Sequence, residues 1–210
     1  MTGLTGRLHE NDVHGRWVRV LADHLAELIP DGASVLDVGR GDGRLAHGIG
    51  QRRPDLRLSG IDALVPRGTW IPVRPFDGRT IREADAGVDV VLLADVLHLT
   101  DDPQVLLRET ARVARRAIVI KDHTRDGRLA SPTLRFLDYV GNAHHGVVLP
   151  YNSWPRDRWL AAFDELRWAV RDWRDDQRLY PRPADWIFGR SLHFVARLEP
   201  VATGSHPTRP

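Results

Sequence analysis

Apolar residues recur at helical spacing through Val13, Trp17, Val20, Leu21, His24, Leu25 and Leu28, and Pro30-Asp31-Gly32 closes the pattern. A stripe of that width predicts an amphipathic helix lying beside a sheet. The period then shortens. Ser34–Val38 is an apolar run of strand length, a short helical pattern runs from Arg44 to about Arg52, and Leu56–Ile61 reads as a second strand closing on Asp62. Ile71–Phe76 predicts a third strand ending at Asp77-Gly78, and Pro72 and Pro75 confine it to a sheet edge. Val88–Ala94 is interrupted only by Asp89, as a central parallel strand covered on both faces would be. Asp102 is placed to cap a helix with Pro103 in its first turn, running to about Arg116, and Ala117–Lys121 is a fifth strand.

Strands alternating with helices predict an α/β fold with a doubly wound, mostly parallel sheet, whose ligands sit at the carboxyl ends of the strands. The alternation pauses over about 123–155. That stretch carries Leu134, Phe136, Tyr139, Val147, Val148, Leu149, Tyr151 and Trp154, too apolar for a disordered linker. It is expected to fold as a cap over the active site, with homodimer packing as its alternative use. A helix with Trp159, Leu160, Phe163 and Leu166 on one face follows, then strands over Trp168–Trp173 and Leu192–Leu198. One domain over 1–200 with a disordered tail over 201–210 is the organisation expected.

The most informative stretch is Val35-Leu36-Asp37-Val38-Gly39-Arg40-Gly41-Asp42-Gly43-Arg44, an apolar strand entering a glycine turn that opens a helix. Glycine accepts positive φ and has no Cβ, so such a turn lets a ligand approach the backbone. A dinucleotide fingerprint would need glycine where Arg44 stands. The pattern with Asp37 instead resembles motif I of class I S-adenosylmethionine (SAM) methyltransferases. The likeness extends through VLDVGRGDG, GID, FDG and VVLLADVLHLTDDP to the ubiquinone/menaquinone-biosynthesis type of branch. IKDH, TLRF, VGN, GVVLPYNSW and SLHFVARL are similar to a small bacterial subgroup of that branch.

That resemblance implies a Rossmann-like seven-stranded sheet with its last strand antiparallel, and SAM as cofactor. It implies that Asp37 and the backbone of Gly39, Arg40, Gly41 and Gly43 hold the amino and carboxylate groups of SAM. Asp62 would accept both ribose hydroxyls, a role that also suits a carboxylate chemically. Asp77 would accept from the adenine amino group beside the Gly78 N–H, while Ala94 and Asp95 would line the methionine end. Asp62 as a turn residue and Asp77-Gly78 as a simple turn are the structural alternatives. Two features depart from the family: Arg40 replaces a small residue, so its side chain points to solvent or to a carboxylate such as that of SAM, and Arg79–Gly87 lacks the usual Leu-Pro-Phe string.

Methyl transfer from a sulfonium is an in-line displacement, so positioning carries much of it, and a weakly acidic acceptor also needs a base. His123, His144 and His145 are the catalytic candidates, and His98 is assigned to packing on the cofactor side. A His-rich metal site is a further possibility, but no spacing matches a metal-ligand motif, so no metal is expected. The absence of an Asn/Asp-Pro-Pro-Tyr type string points away from nucleic-acid amino groups and toward a small organic acceptor with apolar surface, methylated on O, C or N. A nicotinamide-dependent oxidoreductase is the competing enzyme class, disfavoured by Arg44 and by the lack of a Tyr-x-x-x-Lys pair. A non-catalytic SAM-fold scaffold, motivated by Arg40 and the altered 79–87 segment, is the non-enzyme alternative.

Composition narrows the partners. The chain has no cysteine, which excludes disulfides and thiolate chemistry. Its net charge is only +2, although the pI is 9.5 because Lys121 is the only lysine among 30 basic residues. Arginines interspersed with acids describe a solvated surface rather than a phosphate-binding stripe. Arg112, Arg115 and Arg116 cluster where a helix end would welcome positive charge. No signal-peptide pattern and no membrane-length apolar run is present, so a cytoplasmic protein with neither nucleic-acid nor membrane partners is expected.

Overall fold

The computed structural model describes residues 4–39, 41–126, 152–175 and 192–202, with side chains of the first helix described from Gly15 onward. Helix α1 (Leu4–Leu28) leads into β1 (Ser34–Val38), α2 (Arg44–Arg52), β2 (Arg57–Asp62), the short β3 (Val73–Pro75) and β4 (Val88–Ala94). A 3-10 turn over Leu97–Leu99 precedes α3 (Pro103–Val113) and β5 (Ala114–His123). The described chain then resumes with α4 (Arg156–Glu165), β6 (Trp168–Arg174) and β7 (His193–Pro200).

The strands form one seven-stranded sheet in the order β3-β2-β1-β4-β5-β7-β6. The first five run parallel, and β7 is antiparallel to both β5 and β6. This is the Rossmann-like methyltransferase architecture. Because side chains alternate across a strand, each central strand feeds two cores. Leu36, Val38, Val91, Leu93, Ile118 and Ile120 pack on one face with α3 and α4, whereas Val35, Val90, Leu92 and Val119 pack on the other with α1 and α2. Every residue of β4 is buried. Asp89 is tolerated there because its carboxylate accepts from the Ser34 amide at 3.0 Å and hydroxyl at 2.8 Å and pairs with Arg115 at 2.6 Å.

Several elements differ from the sequence expectation. Helix α3 stops at Val113 rather than Arg116, because Ala114 is already extended and pairs with Val88 across an irregularity in the β4–β5 register. Arg115 and Arg116 therefore stand on a strand beside Asp89 instead of serving a helix dipole. The third strand keeps only Val73–Pro75, the prolines limiting it to the edge. On α4, Trp159, Ala162 and Phe163 face the core while Leu160 turns outward. Trp154, expected in the cap, lies in the core with its ring centroid 4.7 Å from that of Trp159. The rest of the cap segment over 127–151 and the tail from 203 lie outside the described residues. Among the described residues no helix is long and apolar enough to cross a membrane.

Candidate functional site

The turn after β1 is built from three glycines with positive φ: 76° at Gly39, 55° at Gly41 and 73° at Gly43. Gly39 donates to the Ile61 carbonyl at 2.8 Å, and a Cβ there would lie 2.8 Å from Val96. Gly43 opens α2 with Ile71 packed so close that a Cβ would meet it at 2.5 Å. Gly41 differs, since nothing lies within 4 Å of a Cβ there. Asp37 is buried on β1, paired with Gly60 of β2, below this turn. Arg40 lies outside the described residues.

Beside the turn a cleft of about 550 Å³ opens at the carboxyl ends of β1, β2 and β4. Gly39, Asp62, Asp77, Gly78, Val96 and Leu99 are among its lining residues. Asp62 ends β2 with one oxygen accepting from the Gly41 amide at 2.6 Å and the other from the Leu64 amide at 2.7 Å. One Asp77 oxygen accepts from the Thr80 amide at 2.7 Å and the Arg79 amide at 2.8 Å, and these bonds hold its carboxyl below the usual range. Both carboxylates thus organise turns at the cleft wall.

The 79–87 segment, where the family string is missing, is pinned from α3. Glu109 accepts from the Ile81 amide at 2.9 Å. Arg112 donates to the Ile81 carbonyl at 2.7 Å, the Glu83 carbonyl at 3.0 Å and Asp85 at 2.7 Å. A guanidinium fork on α3 therefore anchors this segment, whose first residue, Arg79, lines the cleft.

A second polar group lies at the same end of the sheet, where β4, β5 and β7 meet. Ala94 is a buried strand end, and Asp95 turns the chain with φ 55°, its amide donating to the Lys121 carbonyl at 2.8 Å. The Lys121 ammonium is buried and lies 2.5 Å from Asp95 Oδ1 and 3.3 Å from His193 Nδ1. His98 Nδ1 lies 2.7 Å from Asp122 Oδ1. Burial pushes the Asp122 carboxyl up, but the His98 charge and hydrogen bond outweigh it and hold the group below the ordinary range. The His123 ring lies between those of His98 (centroids 4.4 Å apart, tilted by 50°) and His193 (4.7 Å, tilted by 59°). Burial, with His98, Lys121 and His193 around it, pushes His123 well below its ordinary value.

His123 is buried at the end of β5 and is not among the residues that line the 550 Å³ cleft. His98, expected to be packing, is buried and bonded to Asp122. His193 had no sequence signal, since only the β5–β7 register sets it opposite His123. His144 and His145 lie outside the described residues.

Residues 19–123, half of the 210-residue chain, match the family model described as methionine biosynthesis protein MetW. The chain belongs to this family. None of the curated proteins compared matches it. Among solved structures, the chain is similar to a Haloferax volcanii protein assigned as a methyltransferase and solved with the Trm112 methyltransferase activator. The two share 16% identity, with 93% of this chain and 94% of that chain covered and a TM-score of 0.68. It is also similar to geranyl diphosphate C-methyltransferase from Streptomyces coelicolor A3(2), at 13% identity over 85% and 79% of the chains and a TM-score of 0.65. The [4+2]-cyclase SpnF is similar at 14% identity over 87% and 80%, with a TM-score of 0.61. At such identities the family and its neighbours share the fold, and one neighbour is named for a cyclisation, so the function has to be argued from the site.

Proposed function

We propose that the protein is a SAM-dependent methyltransferase acting on an O, C or N nucleophile of a small, partly apolar organic molecule. The observation that carries this reading is the positive-φ glycine turn held against Asp62 at the wall of a cleft. The residues fit such a cofactor. Each Asp62 oxygen accepts one described backbone bond and, with two lone pairs, retains capacity for a ribose hydroxyl. The second oxygen of Asp77 and the Gly78 amide suit an adenine edge in the cleft, and Gly41, beside the cleft-lining Gly39, has nothing within 4 Å of where a Cβ would stand. Asp37 and the turn backbone are the partners for an ammonium and a carboxylate, with Ala94 and Asp95 toward the methionine end. A cleft of about 550 Å³ lies within the range of small-molecule sites, roughly 300–1,000 Å³.

When bound, SAM supplies a methyl group on a cationic sulfur that departs as a neutral thioether. The chain's part is to hold donor and acceptor in line and to exclude water, work in which orientation alone accounts for a large rate factor. The apolar residues Phe136, Tyr139 and Tyr151 support an acceptor with apolar surface. Calorimetric titration with S-adenosylhomocysteine tests the reading, with NADH as the competitor class. Saturable binding of the former and none of the latter is the expected result. Binding of NADH alone would transfer the site to the oxidoreductase class, and binding of neither would leave a scaffold.

A further inference from the structure

The polar group at the ends of β4 and β5 has the composition and spacing of a metal site. Asp95, His98 and His123 each offer one ligand atom, and the three atoms lie within 4.8 Å of one another. Two of them already carry the outer partners that orient metal-bound side chains. Asp122 engages Nδ1 of His98 at 2.7 Å, which directs the lone pair of Nε2 away from it. Lys121 engages Oδ1 of Asp95 at 2.5 Å and fixes the carboxylate in place. The third, His123, is 6% exposed, and its Nδ1 is buried with no hydrogen-bond partner among the described residues. A buried imidazole nitrogen with no protein partner among the described residues needs one, and a metal ion would supply it. With both imidazoles neutral, as metal ligation requires, the carboxylates of Asp95 and Asp122 outnumber the Lys121 ammonium by one charge, a balance that favours a cation. The site meets solvent on the Asp95 side, which is 15% exposed.

We propose that Asp95, His98 and His123 bind a divalent first-row transition ion of the zinc or iron(II) class. Two imidazole nitrogens with one carboxylate oxygen select such ions over magnesium or calcium, which require mostly oxygen donors. The site is hidden from linear spacing because His123 reaches the other two only through the β4–β5 pairing, which sets Ala94 beside Lys121. It shares Asp95 with the cofactor reading, but it rests on its own observations and its test does not use methyl transfer.

The full-length protein, stripped with a chelator, is titrated with Zn²⁺, Co²⁺ and Mg²⁺ by calorimetry. Thermal shift and Co²⁺ absorption are read in parallel, and S-adenosylhomocysteine binding is measured separately. One equivalent of Zn²⁺, a raised melting temperature, a Co²⁺ spectrum of nitrogen and oxygen ligation and no Mg²⁺ response are expected. His98→Gln and His123→Gln should each abolish the site. Asp122→Asn should weaken it about 10- to 100-fold, the usual effect of losing an outer partner. His47→Gln on α2 should leave it intact. Absence of stoichiometric binding, equal binding of Mg²⁺, or undiminished Zn²⁺ affinity in folded His98→Gln protein would overturn the proposal. If His98→Gln does not fold, full affinity retained in Asp95→Asn overturns it equally.

Discussion

The Gly41 amide donates to Oδ2 of Asp62 across 2.6 Å, so the end of β2 and the glycine turn after β1 are held together by the carboxylate proposed to receive ribose. A side chain that both shapes a turn and binds a ligand couples the two. Asp62→Ala is expected to weaken S-adenosylhomocysteine binding by about 1–3 kcal/mol, the cost of leaving polar groups without a charged acceptor. Asp62→Asn, which keeps one accepting oxygen, should fall between. Calorimetry on protein shown to be folded by circular dichroism decides it. Unchanged affinity in the alanine variant would remove the cofactor assignment.

The three glycines separate stability from binding. Gly43→Ala combines positive-φ strain with a Cβ 2.5 Å from Ile71, and should cost about 2–5 kcal/mol of stability. Gly41→Ala incurs only the strain, about 1–2 kcal/mol, because its Cβ meets open space, and it should instead weaken S-adenosylhomocysteine binding. Denaturant unfolding and calorimetry on both variants measure the contrast. Equal binding losses in the two would mean that Gly41 does not face the ligand.

The strands, the glycine turn and the position of Asp62 were legible because each is written locally: apolar runs of strand length, glycines at fixed offsets, an acid at a strand end. What was not legible depends on pairing between distant segments. The end of α3 shifted because Ala114 is recruited by Val88. The Arg112 fork holds the 79–87 segment from another element. His98, His123 and His193 converge through strand registers that no local pattern encodes. Trp154 is aromatic in a stretch that reads as a cap, yet the bridge between Thr124 and Trp154 draws it into the core.

Asp89 makes stability pH-dependent with a definite sign. The Ser34 amide, then Arg115, hold its carboxyl well below the ordinary range. A depressed native pKa contributes stability that is present above the unfolded value of about 3.9 and is lost as pH falls through the native value. Asp89→Ala should therefore cost about 1.5–3 kcal/mol at neutral pH, where hydrogen bonds to a charged group are lost. The gap between wild type and variant should narrow below about pH 4, where the unfolded carboxyl takes up its proton. Urea unfolding across pH tests this, and a gap that widens on acidification would refute it.

Arg112 anchors the wall of the cleft rather than the whole domain. Removing it frees the Ile81 and Glu83 carbonyls and Asp85 together. Arg112→Ala should accelerate amide hydrogen exchange over 79–87 while β1 and β4 stay protected, as local opening requires. Uniform acceleration through the sheet would instead make Arg112 a global structural residue.

Trp154 and Trp159 give the sharpest test of whether the segment around 154 is cap or core. Trp154 is 4% exposed, its backbone accepts from the Arg125 amide at 3.0 Å, and Arg158 covers its ring at 4.2 Å. Trp159 is fully buried, and its indole N–H donates to the His123 carbonyl at 3.1 Å, tying α4 to the end of β5. Trp154→Ala and Trp159→Ala should each cost about 3–5 kcal/mol, as large-to-small core changes do. In a double-mutant cycle the ring pair should show a coupling of about 0.5–1.5 kcal/mol. Arg158→Ala, which removes only a cation over a ring, should cost less than about 1 kcal/mol. A Trp154→Ala variant of undiminished stability would return this residue to the cap, and its place in the core around α4 would have to be given up.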